Sequence, residues 1–352
     1  MRIGSNPAKD DKTLIKSYGR HRVIVPVYIP HQNDYFKDAL QITLFSLESL
    51  YLTARGRVSV TVVSNGCDGE VVAELLRLQS AGYIEQLIID DQNRGKVNAV
   101  LSVARGAHEP FITIADADFL YLPGWVESSE QILADFPECG FVAVGGKPKP
   151  KCRHTSSAIV GAWLRRELRF KTVMSLEYLQ RYTDEGQSET VLNANRVGQM
   201  VVQRGEKIAC IGGNHRIFTV RREAIDDMRR DAISEFYGAE NDWIDTPLDV
   251  AGWWRLSPTT LMARHMGNTL DTWIYQEIER IRLEVAAEKS QADDEKITDG
   301  PVRNRAQTDL AATRTRRHWS RVIPWPIRKT LARWIRQASV PKSERAFFQR
   351  LR

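Results

Sequence analysis

The segment FITIADADFLYLPGW, residues 111–125, ends an apolar run on two aspartates one residue apart, Asp116 and Asp118. In an extended chain residues i and i+2 share a face. Both carboxylates can therefore point the same way, about 6–7 Å apart along the strand. Two carboxylates so placed repel each other unless a cation sits between or beside them. Hard divalent ions such as Mg²⁺ take one or two carboxylates together with phosphate oxygens. The competing explanation is local, because aspartate caps turns and helices and PGWVESSEQI just downstream can start a helix.

Three later stretches carry further chemistry. IGGNH (211–215) has the glycine pair Gly212 and Gly213, which lets the backbone approach a ligand closely. YGAENDW (237–243) holds the carboxylates Glu240 and Asp242. ARHMGN (263–268) holds His265, on its own a histidine hydrogen-bonded near a strand end. In NRGK (93–96), Arg94 and Lys96 flank Gly95; they face an anion or form a solvated helix start. Trp243 is either a sugar-stacking ring or a buried aromatic.

Residues up to about 145 alternate strand-like and helix-like segments. HRVIVPVYIP, RVSVTVVSN, IEQLIIDD, PFITIADAD and GFVAVGG are short β-rich runs bounded by Gly, Pro, Asn or Asp. GEVVAELLRLQSAG between them has helical spacing at Val71, Leu75, Leu76 and Leu78. Such alternation predicts an α/β fold, a mostly parallel sheet covered by helices on both faces. Ligands then bind beyond the carboxyl ends of the strands, here Pro26-Val27-Tyr28, Ser64-Asn65-Gly66, Asp90-Asp91-Gln92-Asn93 and Asp116-Ala117-Asp118. Further on, AIVGAWLRRELRFKTVMSLEYLQRY reads as a helix, KIACIGGNHRIFTV as a β-like run, RREAIDDMRR as a helix and WWRLSPTTLMARHMG as a strand pair. Ile274, Ile278, Ile281 and Val285 form one stripe of a later helix.

The composition, 42% hydrophobic and 27% charged over 352 residues, is that of a globular chain. No stretch reaches the roughly 18 apolar residues of a membrane span, and the first 20 residues lack the apolar core of a signal peptide. The expected location is the cytoplasm. Cys67, Cys139, Cys152 and Cys210 form no CxxC pair, which argues against zinc and a disulfide framework. Charge is unevenly spread: residues 301–352 carry 14 Lys/Arg against Asp309 and Glu344, while the preceding 300 residues are mildly acidic. A basic tail of this kind implies an anionic partner, membrane or nucleic acid. In PIRKTLARWIRQAS, Ile327, Leu331, Trp334, Ile335 and Ala338 fall on one helical stripe, with Arg328, Lys329, Arg333 and Arg336 on its flanks and far side. Trp319 and Trp325 precede it, and Phe347, Phe348 and Leu351 offer a second apolar patch. A cationic helix with Trp at its apolar edge is the pattern of a segment lying in an anionic membrane interface; the alternative is docking on the protein's own core.

Taken in order, DAD (116–118), IGGNH (211–215), YGAENDW (237–243) and ARHMGN (263–268) resemble the motifs of the GT-A fold glycosyltransferases, most closely the inverting family 2 enzymes. VIVPVYIP, VVSNGCDG and NRGKVNAV resemble that family's elements lining the nucleotide pocket. The resemblance spans roughly residues 22–268. It implies a GT-A domain, Rossmann-like, with a nucleotide-sugar half (22–150) and an acceptor half (151–270). An N-terminal tail (1–21), a helix (271–290), a linker (291–313) and the basic tail (314–352) flank it. It implies donor contacts from Pro26, Val27, Tyr28, Ser64, Asn65, Asp68, Arg94, Lys96, Asp116, Gly212 and Gly213. Mn²⁺ or Mg²⁺ would be held by Asp118, with Asp116 at the ribose or the ion's water shell and His265 from across the pocket. The family places an aspartate base directly after Glu240, where this chain has Asn241; the base is then Asp242 or, failing that, Glu240. The donor expected is a UDP-sugar, although Ser64 and Asn65 stand where the family often has aspartate. The acceptor expected is a cell-surface glycan or its lipid-linked precursor, and the protein would lie peripherally on the inner face of the membrane. Alternatives are glycosylation of modified nucleic-acid bases, or nucleic-acid binding through the tail.

Competing nucleotide-binding folds lack their signatures. No G-x-G-x-x-G follows a strand, and GGKP (145–148) lacks the first glycine and the Ser/Thr of a P-loop. VPVYIPHQND stands where a nucleotidyltransferase has its glycine- and lysine-rich loop.

Overall fold

Val23, Val25 and Val27 of strand β1 (His21–Val27) enter one apolar cluster and Ile24 enters another, so the strand is covered on both faces. Strands β2 (Ser59–Asn65), β3 (Gln86–Asp90) and β4 (Phe111–Ala115) run parallel with it in the order β3-β2-β1-β4. Helices α1 (Ala39–Ala54) and α2 (Gly69–Ser80) contribute Leu47, Leu50, Val71 and Leu75 to the first cluster. Helix α3 (Lys96–Gly106) contributes Val97, Val100 and Leu101 to the second. This is the expected α/β arrangement with helices on both faces. On α2 the buried stripe is Val71, Leu75 and Leu78, whereas Leu76 points to solvent.

The computed structural model describes residues 19–145, 153–184, 198–231, 239–295 and 322–341. Several expectations lie outside them: residues 1–18 of the N-terminal tail, Cys152, Tyr237 and Gly238 of the acidic motif, linker residues 296–313, and Trp319, Phe347, Phe348 and Leu351.

Beyond β4 the chain adds β5 (Phe119–Tyr121), helix α4 (Trp125–Asp135), β6 (Cys139–Ala143), helix α5 (Ser156–Leu164), β7 (Leu168–Lys171), helix α6 (Leu176–Asp184), β8 (Gln199–Arg204), β9 (Lys207–Ile211) and β10 (Ile217–Arg221). The four-residue helix α7 (Arg222–Ile225), helix α8 (Thr246–Ala251), β11 (Trp254–Ser257), β12 (Ala263–His265), helix α9 (Thr272–Glu295) and helix α10 (Trp325–Ser339) follow. The full sheet order is β3-β2-β1-β4-β10-β6-β11-β9-β8-β7. Strands β10, β9 and β7 run against the others. Because β10 inserts between β4 and β6, the two halves expected on either side of residue 150 share one continuous sheet.

Four sequence expectations are corrected. The helix expected from Ala158 to Tyr182 is broken into α5, β7 and α6: Arg166 takes a left-handed φ of 60°, and Leu168–Lys171 pairs with β8 instead. KIACIGGNHRIFTV is two strands, β9 and β10, separated at the glycines. RREAIDDMRR supplies only the single turn α7. WWRLSPTTLMARHMG does not fold back on itself. Its β11 lies in the large sheet between β6 and β9, while β12 pairs antiparallel with β5 in a separate two-stranded sheet. Of the expected stripe, Ile274 and Ile278 pack against Ile42, Phe45 and Leu120, Ile281 is buried as well, and Val285 is half-buried.

The basic C-terminal helix also departs from expectation. Ala332 and Ile335 of α10 join the apolar cluster that includes Ala158, Ile159 and Ala162 of α5, whereas Ile327 and Trp334 are exposed. The docked face is therefore centred on Arg328, Ala332 and Ile335, and the stripe expected to lie on a membrane is divided between core and solvent. Arg328, expected on the flank, is 2% exposed and donates to Ser157 Oγ and to the Val250 carbonyl, each at 2.7 Å. No helix among the described residues is long and apolar enough to cross a membrane. Ile335→Ala should destabilise the fold by about 2–5 kcal/mol in chemical denaturation, the range for emptying a buried aliphatic site. Trp334→Ala should stay within about 0.5 kcal/mol of the wild type. Equal, small effects at both positions would mean that α10 does not dock.

Candidate active site

Strand β4 ends at Ala115, and the two aspartates follow at once. Their backbones are pinned from opposite sides. The Asp116 N–H donates to the Arg216 carbonyl at 2.8 Å, and the Asp118 carbonyl accepts from the Met266 N–H at 2.8 Å. Both contacts are consequences of register. Antiparallel pairing of Ile217 with Ala115 brings the loop before β10 alongside Asp116. Pairing of His265 with Phe119 in the small sheet brings the histidine beside Asp118.

The carboxylates have different partners. Lys96, the first residue of α3, sets its Nζ 2.5 Å from Asp116 Oδ1 and 3.6 Å from Glu240 Oε1. Burial works against the charge on Lys96, but Asp116 and Glu240 outweigh it and hold the ammonium above its ordinary range. Asp118 Oδ2 lies 3.0 Å from His265 Nε2, while its buried Oδ1 has no hydrogen-bond partner. Arg216 Nη1 lies 3.1 Å from the same Nε2. A guanidinium only donates, so that contact requires a lone pair on Nε2, and Asp118 then receives no proton from it.

This donor set fits a hard divalent ion in part. Among the described residues no three His, Cys, Asp or Glu side chains converge as a ready-made cage. What is present is a carboxylate with a buried, unpartnered oxygen beside an imidazole nitrogen. That suits an ion taking its remaining ligands from phosphate and water. Asp116 is engaged by Lys96 and so stands beside such an ion rather than free to ligate it.

A cleft of about 280 Å³ opens at the carboxyl ends of β1, β2 and β4, lined among others by Pro26, Val27, Tyr28, Asn65, Lys96, Asp116 and Asp118. The structure thus gathers seven of the expected residues. Asn65 has a second task there. Its Oδ1 accepts from the Arg94 N–H at 2.8 Å and its Nδ2 donates to Asn93 Oδ1 at 2.9 Å, which fixes the NRGK loop. Gly66, at φ 79°, permits that approach, since a Cβ there would lie 2.6 Å from the Asn93 nitrogen.

Ser64, Asp68, Arg94, Gly212 and Gly213 are not part of the cleft lining. Ser64 is buried, Asp68 caps α2 by accepting from the Glu70 N–H, and Arg94 pairs with Asp90 at 3.0 Å. Gly213 is needed for packing: at φ 153°, a Cβ would sit 2.1 Å from that of Ala143.

Asn93, at the expected strand-end edge, also lines the cleft, whereas sequence reasoning assigned no role to Tyr35, Phe36, Gly267 and Asn268, which line it too. The aromatic cluster in YIPHQNDYF was the available signal, for Tyr28 and Phe36 meet edge to face at 5.8 Å. It also missed the Asp245 cluster. Buried Asp245 accepts from His215 Nδ1 at 2.7 Å and pairs with Arg255 at 2.9 Å. Burial alone would raise its pKa, but Arg255 and His215 bring it below the ordinary aspartate value. His215 of the glycine motif is thereby tied to the acidic motif.

Glu240 and Asp242 sit at the head of a π-helical turn, Asn241–Asp245. Two positions apart on a helix, they face nearly opposite directions. Glu240 turns to Lys96 in the cleft, whereas Asp242 lines a second cavity of about 540 Å³ against α5 and α10. Trp243 is not free to stack on a sugar: Arg229 covers its ring at 4.4 Å and its Nε1 donates to the Asp231 carbonyl.

No protein-family model and no curated protein matches the chain. Among solved structures it is similar to the mannosyltransferase PcManGT from Pyrobaculum calidifontis in complex with GDP-Man and Mn²⁺, at 15% identity. That match covers 95% of this chain and 86% of that one with a TM-score of 0.42. It is also similar to S. aureus TarS, at 11% identity over 76% of this chain and 39% of that one, TM-score 0.39. Both likenesses are distant, and the site's own residues carry its interpretation.

Proposed function

We propose that the protein is a metal-dependent, inverting glycosyltransferase that moves a sugar from a nucleotide-sugar donor, preferentially a UDP-sugar, to an acceptor hydroxyl. The observation that carries this reading is Asp118, whose buried Oδ1 has no partner and whose Oδ2 meets His265, in a cleft whose other carboxylate is paired with Lys96.

In this reading the exposed rings of Tyr28 and Tyr35 form the wall for a nucleotide base, since aromatic faces stack on any base. Asp118 and His265 would hold Mn²⁺ or Mg²⁺, which when bound would supply Lewis-acid stabilisation of the charge growing on the departing diphosphate. Lys96 adds a fixed positive charge at the same end of the cleft, oriented between Asp116 and Glu240. Asp242, on the far side of the π-helical turn, takes the proton of the acceptor hydroxyl. Glu240 positions Lys96.

The test is donor hydrolysis with UDP-, GDP-, CMP- and dTDP-sugars, each with and without Mn²⁺. Metal-stimulated release of one nucleoside diphosphate is expected, with UDP the strongest. No release from any donor in either condition would refute the proposal. Retention of anomeric configuration in a transfer product would refute inversion.

A further inference from the structure

We infer that the second cavity is an acceptor subsite built for a phosphate group, so that the acceptor is a phosphate ester; this rests on the glycosyltransferase reading above. The cavity, about 540 Å³, is walled by Lys329, Arg333 and Arg336 of α10 and by Arg153 across from them. Positions 329, 333 and 336 follow the i, i+4, i+7 spacing and so share one helix face. This face adjoins the docked face of Arg328, Ala332 and Ile335, and Ala332 lines the cavity as well.

Among the described residues the cavity is lined by four cations, Arg153, Lys329, Arg333 and Arg336, against two carboxylates, Asp242 and Asp249. Asp249 is buried and already satisfied, accepting from Ser156 Oγ at 2.7 Å, from the Ser157 N–H at 2.9 Å and from Trp325 Nε1 at 3.0 Å. Lys329 rests over the Trp325 ring at 4.3 Å. No carboxylate among the described residues forms an ion pair with Arg153, Arg333 or Arg336. A cavity lined by three guanidinium groups and an ammonium suits the several oxygens of a phosphate, which Arg binds in forked pairs.

Two connections join this cavity to the donor cleft. Glu240 reaches Lys96 in the cleft while Asp242, two residues on, lines the cavity. The loop after β9 does the same. A Cβ on Gly212 would lie 3.8 Å from Thr155, which lines the cavity, and Arg216 of the same loop contacts His265 beside Asp118. A phosphate seated on Arg333 and Arg336 therefore holds the rest of its ester beside Asp242, at the wall that the π-helical turn shares with Glu240.

The test measures binding of glycerol 3-phosphate and of glycerol to the full chain by calorimetry, with an Arg333→Gln/Arg336→Gln variant. Glutamine keeps helix propensity close to that of arginine, and circular dichroism checks that the variant is folded. Saturable binding of the phosphate ester but not of glycerol, weakened at least tenfold in the variant, is expected. Equal binding by the folded variant, or no discrimination between ester and alcohol, overturns the inference. Vesicles of phosphatidic acid against phosphatidylcholine separate the sources. Arginine-dependent binding to the acidic vesicles assigns the phosphate to a lipid headgroup, and binding of the soluble ester alone assigns it to a free or polymer-borne phosphate. Asp118→Asn is the independent control. It should lose Mn²⁺-dependent UDP binding and keep glycerol phosphate binding, so failure of the donor site and failure of the phosphate site give different results.

Discussion

Replacing Asp118 by asparagine is expected to lower metal-dependent donor turnover by at least about 100-fold, more than the 10–100-fold typical of losing a group that merely supports a metal ligand. The fold should survive. Asparagine has the same shape, Asp118 Oδ1 makes no hydrogen bond that could be lost, and the backbone is held independently through the Met266 N–H. The melting temperature should stay level or rise, because a buried carboxylate oxygen without a partner costs stability and Asp116 adds like-charge repulsion. Function and stability thus move in opposite directions, as expected for a residue kept for its chemistry. Undiminished turnover in the variant, or full wild-type activity in excess chelator, would remove the metal role.

The second large effect concerns the proton acceptor. Asp242→Asn should reduce transfer to acceptor by about 10²–10⁴-fold, the usual worth of a positioned base, with nucleotide binding unchanged. Asp242 is exposed and lines the second cavity, so its loss disturbs no packing. Glu240→Gln should act differently. It removes a negative partner 3.6 Å from Lys96 and should appear first in the donor KM. Steady-state kinetics with both variants decide between the two residues. If Glu240→Gln abolishes kcat while donor affinity holds, and Asp242→Asn does not, the roles exchange.

Much of the donor half was legible because its signals are local. Parallel strands in β1–β4 announce themselves as apolar runs, and the polar residues at their ends mark the edge where ligands bind. Asp116, Lys96 and Asn65 line the cleft at that edge. What escaped depends on pairing between distant segments. Nothing local in KIACIGGNHRIFTV says that its second half inserts antiparallel beside β4, yet that insertion places Arg216 by Asp116. The break at Arg166 was hidden because a left-handed arginine leaves no compositional mark. Helical spacing in the tail was read correctly as a helix, but its buried face was misplaced by one residue. Arg328 looks like a solvent-facing cation until Ser157 and the Val250 carbonyl are seen to receive it. Periodicity weighs hydrophobicity, and a buried arginine inverts that weight.

The docking of the last helix also orders assembly in time. Arg328 bonds to Ser157 across 171 positions of sequence, and Trp325 bonds to Asp249 across 76. Such contacts form only after the intervening chain has closed a large loop, which makes them late events in folding. During synthesis, at about 5–20 residues per second, the donor cleft can be assembled from earlier segments while α10 has yet to emerge. The cationic wall of the second cavity is then completed last, after the cleft around Asp118 has already formed.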